Sequence, residues 1–409
     1  MSTLRITHTS QQLQGRCTIT GSKSESNRLL ILQALFPEIT LLNLSNSDDT
    51  QAMKRGLSST DVTVDIGHAG TTMRFLTSYF ATKPGVEKEL TGSKRMQERP
   101  IKILVDALRT IGAEVGYVKN NGYPPLRISG KRLETNHVEL AANVSSQYIT
   151  SLMLVASKLP NGLEIELKGE ITSIPYINMT CSLLQKVGVK TAFSGQTIRV
   201  FPQEKISPKT ITVESDWSSA SYHFSMVALA KHAKVSINSY VIDSLQGDSV
   251  LAEIYTHLGV QTTFDGHILK LTKSKGNITH ISLDLIKSPD IAQTIAVTCF
   301  GLGISCDLTG LHTLKIKETD RLLALYTELT KLGAEIRITD NSLHLKPRLK
   351  PIHQEVAIDT YHDHRMAMAF APLGLLVPIK INDSEVVSKS YPTFWKDLQD
   401  LGFGVETTK

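Results

Sequence analysis

The chain has 409 residues, of which 41% are hydrophobic and 20% are charged, and its formal net charge is +5. Because a single core stops growing at roughly 250 to 300 residues, this length predicts two domains. No apolar stretch is long enough to span a bilayer, and the weak positive charge without a basic run argues against a nucleic-acid-binding protein.

The amino-terminal segment MSTLRITHTSQQLQG lacks the apolar region of a secretory signal and the arginine-rich pattern of a transit peptide, which predicts a cytoplasmic protein. The four cysteines form no CxxC pair; they are Cys17, Cys181, Cys299 and Cys306. We therefore expect buried thiols in a reducing compartment rather than a metal or redox site.

An amphipathic helix that ends in Leu-Gly or a close variant recurs along the chain, followed each time by strand, turn and strand. The copies centre on Gly112, Gly188, Gly259 and Gly333. Each glycine stands where a helix end needs a left-handed residue. Weaker copies near Gly56 and at the carboxyl end predict six modules in two domains, with a boundary at residues 213–217. The alternative is a chance set of helix–hairpin units in an unrelated α/β protein.

Basic residues lie beside glycine, serine or a helix start in several segments. In GSKSESNR an apolar helical pattern begins after Asn27, so Lys23 and Arg28 flank a helix start. Cations are unfavourable there unless an anion shares the site. Exposed side chains near a cap are the alternative interpretation.

Two more segments of this kind follow. In IGHAGTTMRFL, Gly70 allows close backbone approach beside Arg74 and the start of an apolar run. In SKRMQERPIK, Pro100 fits the first helical position, which puts Arg99 at or next to the N-cap. A guanidinium at that place suits a carboxylate or phosphate.

Polar residues at other helix starts complete the candidate set. Ser145, Ser146 and Gln147 begin an apolar helix and could cradle a phosphate, with ordinary capping as the alternative. Asp290 in KSPDIAQ and Glu318 in IKETDR also lie at helix starts, and each could move a proton.

In IKETDRLLALYTEL, Lys317 and Arg321 are four residues apart and would face the same side of a helix. An anion bound between them would relieve their repulsion. The alternative is a surface helix neutralised by its own acidic residues.

In the triplet HDH, His362, Asp363 and His364 precede Arg365 and a buried apolar run. Adjacent residues of one helix or turn point apart, so a metal site is the minor interpretation. The motifs GxxxxGK[ST], GxGxxG, GxSxG and HExxH are absent from the sequence, which disfavours nucleotide-binding, nicotinamide-dependent, serine-hydrolase and zinc-protease functions.

Nine motifs occur in order over essentially the whole chain: GSKSESNR, AGTTMR, QERPI, SSQYITSLM, PYI, SPDIAQ, KETDR, DHRMAMAF and SKSYPTFW. In this set the chain closely resembles the 5-enolpyruvylshikimate-3-phosphate synthases of the enolpyruvyl transferase family. The resemblance implies an α/β fold of two domains, each built of three βαβαββ modules, with the active site in the interdomain cleft. It implies one discontinuous domain of residues 1–20 with 215–409, and a second of residues 21–214.

Members of that family transfer the enolpyruvyl group of phosphoenolpyruvate to the 5-hydroxyl of shikimate 3-phosphate and release phosphate, on the shikimate pathway to chorismate and aromatic amino acids. The resemblance implies a monomer with small-molecule partners alone and no cofactor or metal. The residues implied for shikimate 3-phosphate are Lys23, Ser24, Arg28, Ser145, Ser146, Gln147, Ser173, Asp290 and Lys317. Those implied for phosphoenolpyruvate are Lys23, Gly70, Arg99, Gln147, Arg321, Arg365 and Lys389. Asp290 is expected to be the base toward the 5-hydroxyl and Glu318 the acid toward the methylene carbon, assisted by Lys23.

Three positions depart from many bacterial members of the family. His68 and Thr313 stand where asparagine is common, and Phe75 stands where proline is common. The phosphoenolpyruvate pocket and one ring-hydroxyl contact are therefore expected to differ in detail. The family inhibitor glyphosate occupies that pocket, so inhibition is expected.

Two rival functions stay open. The related enolpyruvyl transferase that acts on a UDP-sugar typically carries a reactive cysteine in a mobile loop, and none of the four cysteines has such a context. A non-catalytic phosphate-ligand binding protein or a repeat scaffold would not need Asp290 and Glu318 beside the cations.

Overall fold

The computed structural model of the chain describes residues 2–142, 145–169, 171 and 174–408. The chain divides into two compact units: unit 1 is Met1–Thr20 with Glu214–Lys409, and unit 2 is Gly21–Val213. The sequence places the division after residues 20 and 214. That the two units are separate domains stays a prediction.

Short strands and helices alternate along both units. The strands are β1 (Thr3–Thr7), β2 (Gln12–Cys17), β3 (Ile39–Leu42), β4 (Thr63–Asp65), β5 (Glu87–Thr91), β6 (Glu114–Tyr117), β7 (Leu126–Ser129), β8 (His137–Ala141), β9 (Leu163–Lys168), β10 (Thr191–Ser194), β11 (Thr197–Val200), β12 (Lys209–Thr212), β13 (His232–Asn238), β14 (Val260–Asp265), β15 (Ile268–Lys273), β16 (His280–Asp284), β17 (Ser305–Thr309), β18 (Ile336–Ile338), β19 (Leu343–Leu345), β20 (Val356–Ile358), β21 (Ile379–Ile381) and β22 (Gly404–Thr408). The α-helices are α1 (Lys23–Leu35), α2 (Asp48–Ser58), α3 (Gly70–Ala81), α4 (Lys94–Gln97), α5 (Lys102–Thr110), α6 (Ser146–Ala156), α7 (Ile174–Val187), α8 (Trp217–Leu229), α9 (Leu251–His257), α10 (Ala292–Leu302), α11 (Arg321–Lys331), α12 (His364–Phe370) and α13 (Phe394–Asp400). Short 3-10 helices are Gly247–Val250, Pro289–Ile291, His312–Ile316, Ala371–Leu375 and Ser384–Lys389.

The described strands form five four-stranded sheets and one two-stranded sheet, and the five share one topology. In β8 to β11, for example, β8 pairs parallel with β9, β11 pairs antiparallel with β9, and β10 forms the edge as the hairpin partner of β11. A parallel pair needs a crossover, which α6 supplies between β8 and β9. The repeated element is therefore a βαβαββ module.

Unit 1 holds three of these four-stranded sheets and unit 2 holds two. In the last sheet of unit 1, the chain's first strand β1 lies between β21 and β22, with Leu4 opposite both Ile381 and Thr407. The third sheet of unit 2 consists of β3 and β12 in parallel, in the part of the chain that the structure describes.

The predicted helix-ending glycines adopt the left-handed backbone conformation. Their φ angles are +98° at Gly112, +102° at Gly188, +85° at Gly259, +97° at Gly333 and, in the carboxyl-terminal copy, +92° at Gly402. The prediction near Gly56 is wrong, because Gly56 lies inside α2 and packs so closely that an added Cβ would come within 2.3 Å of Leu76 Cδ1.

Helices α8 and α12 are buried along their whole length, and α10 is buried from Ala292 to Gly301. These helices pack against each other, and hydroxyl pairs satisfy polar groups among them, such as Ser221 with Thr294 at 2.9 Å. In unit 2, α3 packs against α6 with a similar pair between Ser78 and Ser151 at 3.0 Å.

No helix of the described ranges combines the length and the apolar character that a membrane crossing requires. All four cysteines are free and buried, which confirms the expected burial of their thiols.

Gly112 allows a test of whether the module needs a glycine at the end of its helix. A Cβ at this position would meet no atom within 4 Å and would only strain the backbone. We expect Gly112→Ala to lower the free energy of unfolding by about 1 kcal/mol. The matched control is Gly116→Ala in the following strand, where φ is not positive and the nearest atom to a Cβ lies at 4.0 Å. Urea unfolding followed by circular dichroism measures both, and equal midpoints would contradict the expectation.

Candidate active site

In unit 1, three predicted residues lie at the starts of buried helices. Asp290 lies in the 3-10 helix that leads into α10, Arg321 is the first residue of α11, and Arg365 is the second residue of α12. Arg321 Nη1 lies 2.9 Å from Asp290 Oδ1, and Arg365 Nη2 lies 3.1 Å from Asp290 Oδ2. Lys317 Nζ adds a third cation 3.5 Å from Oδ1. One carboxylate thus gathers three cations from two segments of the chain.

Glu318 forms a second connection in this cluster. Its Oε2 accepts a hydrogen bond from Arg321 Nη2 at 2.9 Å, and its Oε1 accepts one from Lys389 Nζ, also at 2.9 Å. Lys389 ends the last 3-10 helix, so residues from four segments share one ion-pair network. Both predicted proton-transfer carboxylates lie inside it.

Asp363 is a member of the site that the sequence considered only within a possible metal triplet. Its side chain is fully buried, and its carboxylate accepts from Arg321 Nε at 2.7 Å and from the backbone N of Arg365 at 2.9 Å. Asp363 is the N-cap of α12, so one side chain fixes both arginines. An aspartate directly before a buried helix that has arginine as its second residue is the signal that could have identified it.

The electrostatics of this cluster favour the charged forms. Burial opposes the charge on Asp290, but Arg365, Lys317 and Arg321 together lower the pKa of its carboxyl well below the usual range. Burial likewise opposes the charge on Arg321, while Asp363, Glu318 and Asp290 raise the pKa of its guanidinium. At neutral pH, Asp290 and Arg321 are therefore both ionised.

Several predicted helix starts in these segments are wrong. Lys317 and Arg321 do not share a helix, because α11 begins at Arg321 after its N-cap Asp320, and the anion that both contact is Asp290. Helix α1 begins at Lys23 rather than after Asn27, with Ser22 as its cap.

Pro100 does not occupy a first helical position, because α5 begins at Lys102. Arg99 therefore lies in the connection between α4 and α5 rather than beside the N-cap of a helix.

In unit 2, Arg28 is a buried cation held mainly by neutral oxygens. Its guanidinium donates to Thr180 Oγ1 at 3.0 Å, to the carbonyl of Ser24 at 2.8 Å and to Thr150 Oγ1 at 3.3 Å. The Phe75 and Tyr176 rings lie 5.8 Å from its Cζ. Burial lowers the pKa of Arg28 to about 10, which still leaves it charged at neutral pH.

Gly70 provides the space that the Arg99 guanidinium occupies at the start of α3. A Cβ on Gly70 would lie 2.6 Å from Arg99 Nη1 and 3.2 Å from Arg74 Nη1. Arg74 itself is buried and donates to the Gly70 carbonyl at 3.0 Å. Burial and the charge of Arg99 lower the pKa of Arg74 to about 10.

Contacts between side chains connect the first turns of α1, α2, α3 and α6. Lys23 Nζ lies 3.6 Å from Asp49 Oδ2 at the start of α2, and Gln147 Nε2 donates to Thr71 Oγ1 at 3.2 Å. Ser145 caps α6 by accepting from the backbone N of Gln147. Ser146 is the first residue of that helix and Ser24 the second residue of α1. Ser173 lies outside the described residues.

The three departures from the family pattern have distinct surroundings. His68 Nδ1 lies 2.8 Å from Ser93 Oγ, and Phe75 is buried against Arg28. Thr313 Oγ1 is buried without a hydrogen-bond partner among the described residues.

Within the described ranges, one His/acid group has its ligand atoms close enough together for a metal ion, namely His137, Glu139 and Glu166 on β8 and β9. His137 and Glu139 are exposed, and Glu166 is ion-paired with Lys168. The HDH triplet is not part of this group.

Comparison with known proteins finds one family over most of the chain. The sequence model of the family described as EPSP synthase (3-phosphoshikimate 1-carboxyvinyltransferase) matches residues 54–398. A 3-phosphoshikimate 1-carboxyvinyltransferase of Bacteroides fragilis (strain YCH46) is 44% identical over 400 residues, which cover 97% of both chains. One from Haemophilus influenzae (strain PittEE) is 35% identical over 421 residues, covering 95% of this chain and 96% of the relative.

A solved structure of EPSP synthase from Acinetobacter baumannii superposes with a TM-score of 0.83 over the full length of both chains, at 21% sequence identity. At this identity the structural likeness establishes the fold, and the curated relatives establish the family. The chain therefore belongs to the EPSP synthase (3-phosphoshikimate 1-carboxyvinyltransferase) family.

Proposed function

We propose that the chain is an enzyme that transfers the enolpyruvyl group of phosphoenolpyruvate to the 5-hydroxyl of shikimate 3-phosphate and releases phosphate. The observation that carries this proposal is the placement of Asp290 among Lys317, Arg321 and Arg365. An anion-binding protein needs the cations alone, whereas a transferase also needs a carboxylate where a proton leaves the attacking hydroxyl. The UDP-sugar alternative loses support because all four cysteines are buried.

The first turns in unit 2 suit the phosphate of shikimate 3-phosphate. Helix starts present backbone N–H groups and positive dipole ends, and Arg28 adds a buried charge there. We assign to this substrate Arg28, Lys23, Ser24, Ser145, Ser146, Gln147 and Ser173 in unit 2, and Lys317 and Asp290 in unit 1. The phosphate would replace the neutral acceptors of Arg28 by a charged one, which attracts the guanidinium more strongly and can accept two parallel hydrogen bonds from it.

Phosphoenolpyruvate carries a phosphate and a carboxylate, and both suit guanidinium forks. We assign to it Lys23, Gly70, Arg99 and Gln147 in unit 2, and Arg321, Arg365 and Lys389 in unit 1. In the substrate-free state Arg321 and Lys389 bind Glu318. An anionic substrate would compete for those cations and leave Glu318 able to take up a proton.

In the proposed reaction, Asp290 and Glu318 accept and donate the protons that are transferred. Asp290 accepts the proton of the 5-hydroxyl as the hydroxyl oxygen attacks C2 of phosphoenolpyruvate. At the same time Glu318, assisted by Lys23, protonates C3, which becomes a methyl group. In the second step a methyl proton returns to the enzyme, the C–O bond to phosphate breaks, and the enol ether forms. Fixed cations stabilise the charge that develops on phosphate as it leaves.

We further propose that the enzyme works as a monomer in the cytoplasm. The four free and buried thiols support a reducing compartment.

Phosphate release from phosphoenolpyruvate, with and without shikimate 3-phosphate and in the presence of a chelator, tests this function. We expect release that depends on both substrates and is indifferent to the chelator. Folded protein that releases no phosphate would refute the assignment, and replacement of shikimate 3-phosphate by a UDP-sugar would test the rival substrate.

The carboxylate roles are tested by Asp290→Asn and Glu318→Gln, which keep the shape and remove the basic oxygen. We expect kcat to fall at least about 100-fold in each, because general acid–base groups contribute factors of this size. The control is Glu335→Gln, since Glu335 is 69% exposed and pairs only with Lys346 among the described residues. Undiminished turnover in either variant would remove that residue from its role.

Gly70→Ala tests the placement of Arg99. The methyl group would collide with the guanidinium, so we expect the KM for phosphoenolpyruvate to rise about tenfold, with a smaller change in the KM for shikimate 3-phosphate. Gly116→Ala, a control without such a collision, should leave both constants unchanged. Equal changes in the two KM values would show that Arg99 does not discriminate between the substrates.

A further inference from the structure

Asp248 is a buried carboxylate next to the unit 1 cluster, and no role in the proposed reaction uses it. It lies in the 3-10 helix Gly247–Val250 and is 8% exposed. Its Oδ2 accepts a hydrogen bond from Ser218 Oγ. Burying a carboxylate is costly, so a buried aspartate tied to one hydroxyl calls for an electrostatic explanation.

The Ser218 hydroxyl connects Asp248 to Arg365. Ser218 is the second residue of α8, and its Oγ also lies 3.3 Å from Arg365 Nη2. A guanidinium can only donate, so Ser218 Oγ must accept from Arg365 and use its single proton toward Asp248. The direction of both hydrogen bonds is thereby fixed, and it favours an ionised Asp248.

The same Arg365 nitrogen contacts Asp290. Nη2 lies 3.1 Å from Asp290 Oδ2, so Asp290 and Ser218 hold one end of the guanidinium from two sides. The backbone N of Arg365 is held in turn by Asp363. Without the Ser218 contact, the Nη2 end of Arg365 would depend on Asp290 alone, which the proposed mechanism requires as a base.

We propose that Asp248 is a positioning residue for the transfer reaction: through the Ser218 hydroxyl it orients the Arg365 guanidinium for phosphoenolpyruvate and leaves Asp290 available to the 5-hydroxyl. This inference rests on the proposed function. Preorganisation of this kind matters because misplacing a catalytic or substrate-binding group by about 1 Å can cost up to about 100-fold in rate.

The charges that face Asp248 make the arrangement sensitive to pH. Burial, Asp290 and Asp216 raise the pKa of Asp248, Arg365 and the Ser218 hydrogen bond lower it, and the net result is a pKa of about 6. The carboxylate is therefore ionised above about pH 6 and protonated below it, which weakens its hold on Ser218. Asp248→Asn resembles the protonated form at every pH.

The experiment compares steady-state kinetics of the wild type with those of Asp248→Asn, Ser218→Ala and the double variant. At pH 8 we expect each single variant to lose about tenfold in kcat/KM for phosphoenolpyruvate. The double variant should lose no more than either single one, because both substitutions interrupt one chain of contacts. Losses that multiply would overturn the proposal.

The pH dependence separates positioning from a structural role. The ratio of wild-type kcat/KM to Asp248→Asn kcat/KM should fall toward one as the pH is lowered through about 6. Ionisation of the substrates affects both enzymes equally, so it does not change this ratio. A ratio that stays constant with pH would overturn the proposal, as would an Asp248→Asn enzyme with wild-type kinetics.

The matched control is Asp397→Asn, because Asp397 is also an aspartate that is 8% exposed, and burial also raises its pKa. It accepts from Thr393 Oγ1, and within the described ranges it has no contact with Arg365. A similar kinetic loss in this control would assign the effect to general destabilisation. If Asp248→Asn does not fold, the proposal is tested by Ser218→Ala alone, through its kcat/KM for phosphoenolpyruvate. An inactive wild type would refute the proposed function itself.

Discussion

The site depends on a compensation of charge at the starts of helices. A helix start carries partial positive charge, and this chain adds arginine or lysine at that place in α1, α11 and α12. Such an arrangement is unstable without anions. In unit 1 the protein supplies them itself, through Asp290, Glu318 and Asp363, so the cations are fixed before any ligand arrives.

In unit 2 the positive charge of the buried arginines is compensated in a different way. Arg28 and Arg74 are buried against hydroxyls, carbonyls and aromatic rings, and burial lowers the pKa of both. Neither has a carboxylate within ion-pair distance in the part of the chain that the structure describes. A bound anion would meet cations that are less compensated here than in unit 1, whereas in unit 1 it must first displace a protein carboxylate. The two units therefore compensate buried arginine charge in different ways, unit 1 with carboxylates and unit 2 with neutral oxygens and aromatic rings.

The sequence predicts the parts of this structure that local chemistry determines. Gly112, Gly188, Gly259 and Gly333 end helices because only glycine enters the left-handed region at little cost, and this requirement is visible in the residues themselves. The segments that carry the candidate residues were also recognisable, since cations next to glycine, serine or a helix start are unusual.

The pairing of these segments could not be read from the sequence. Arg321 meets Asp363 and Asp290 across more than thirty residues, and Arg365 meets Ser218 across 147. Such contacts depend on the order of strands in the sheets, and no local sequence pattern predicts that order. The earlier helix start at Lys23 has a related cause, because a polar first turn can be stabilised by tertiary partners that periodicity does not register, such as Asp49 beside Lys23.

The position of β1 has a consequence for how the chain is made. This strand is synthesised before the whole of unit 2, yet its two neighbours, β21 and β22, are synthesised after that unit. Unit 2 is continuous and can form while synthesis proceeds, whereas the last module of unit 1 must wait until β21 and β22 have been made. During that interval β1 is an unpaired strand, and the charged Arg5 and the polar Thr3 and Thr7 on it reduce its tendency to pair with another molecule.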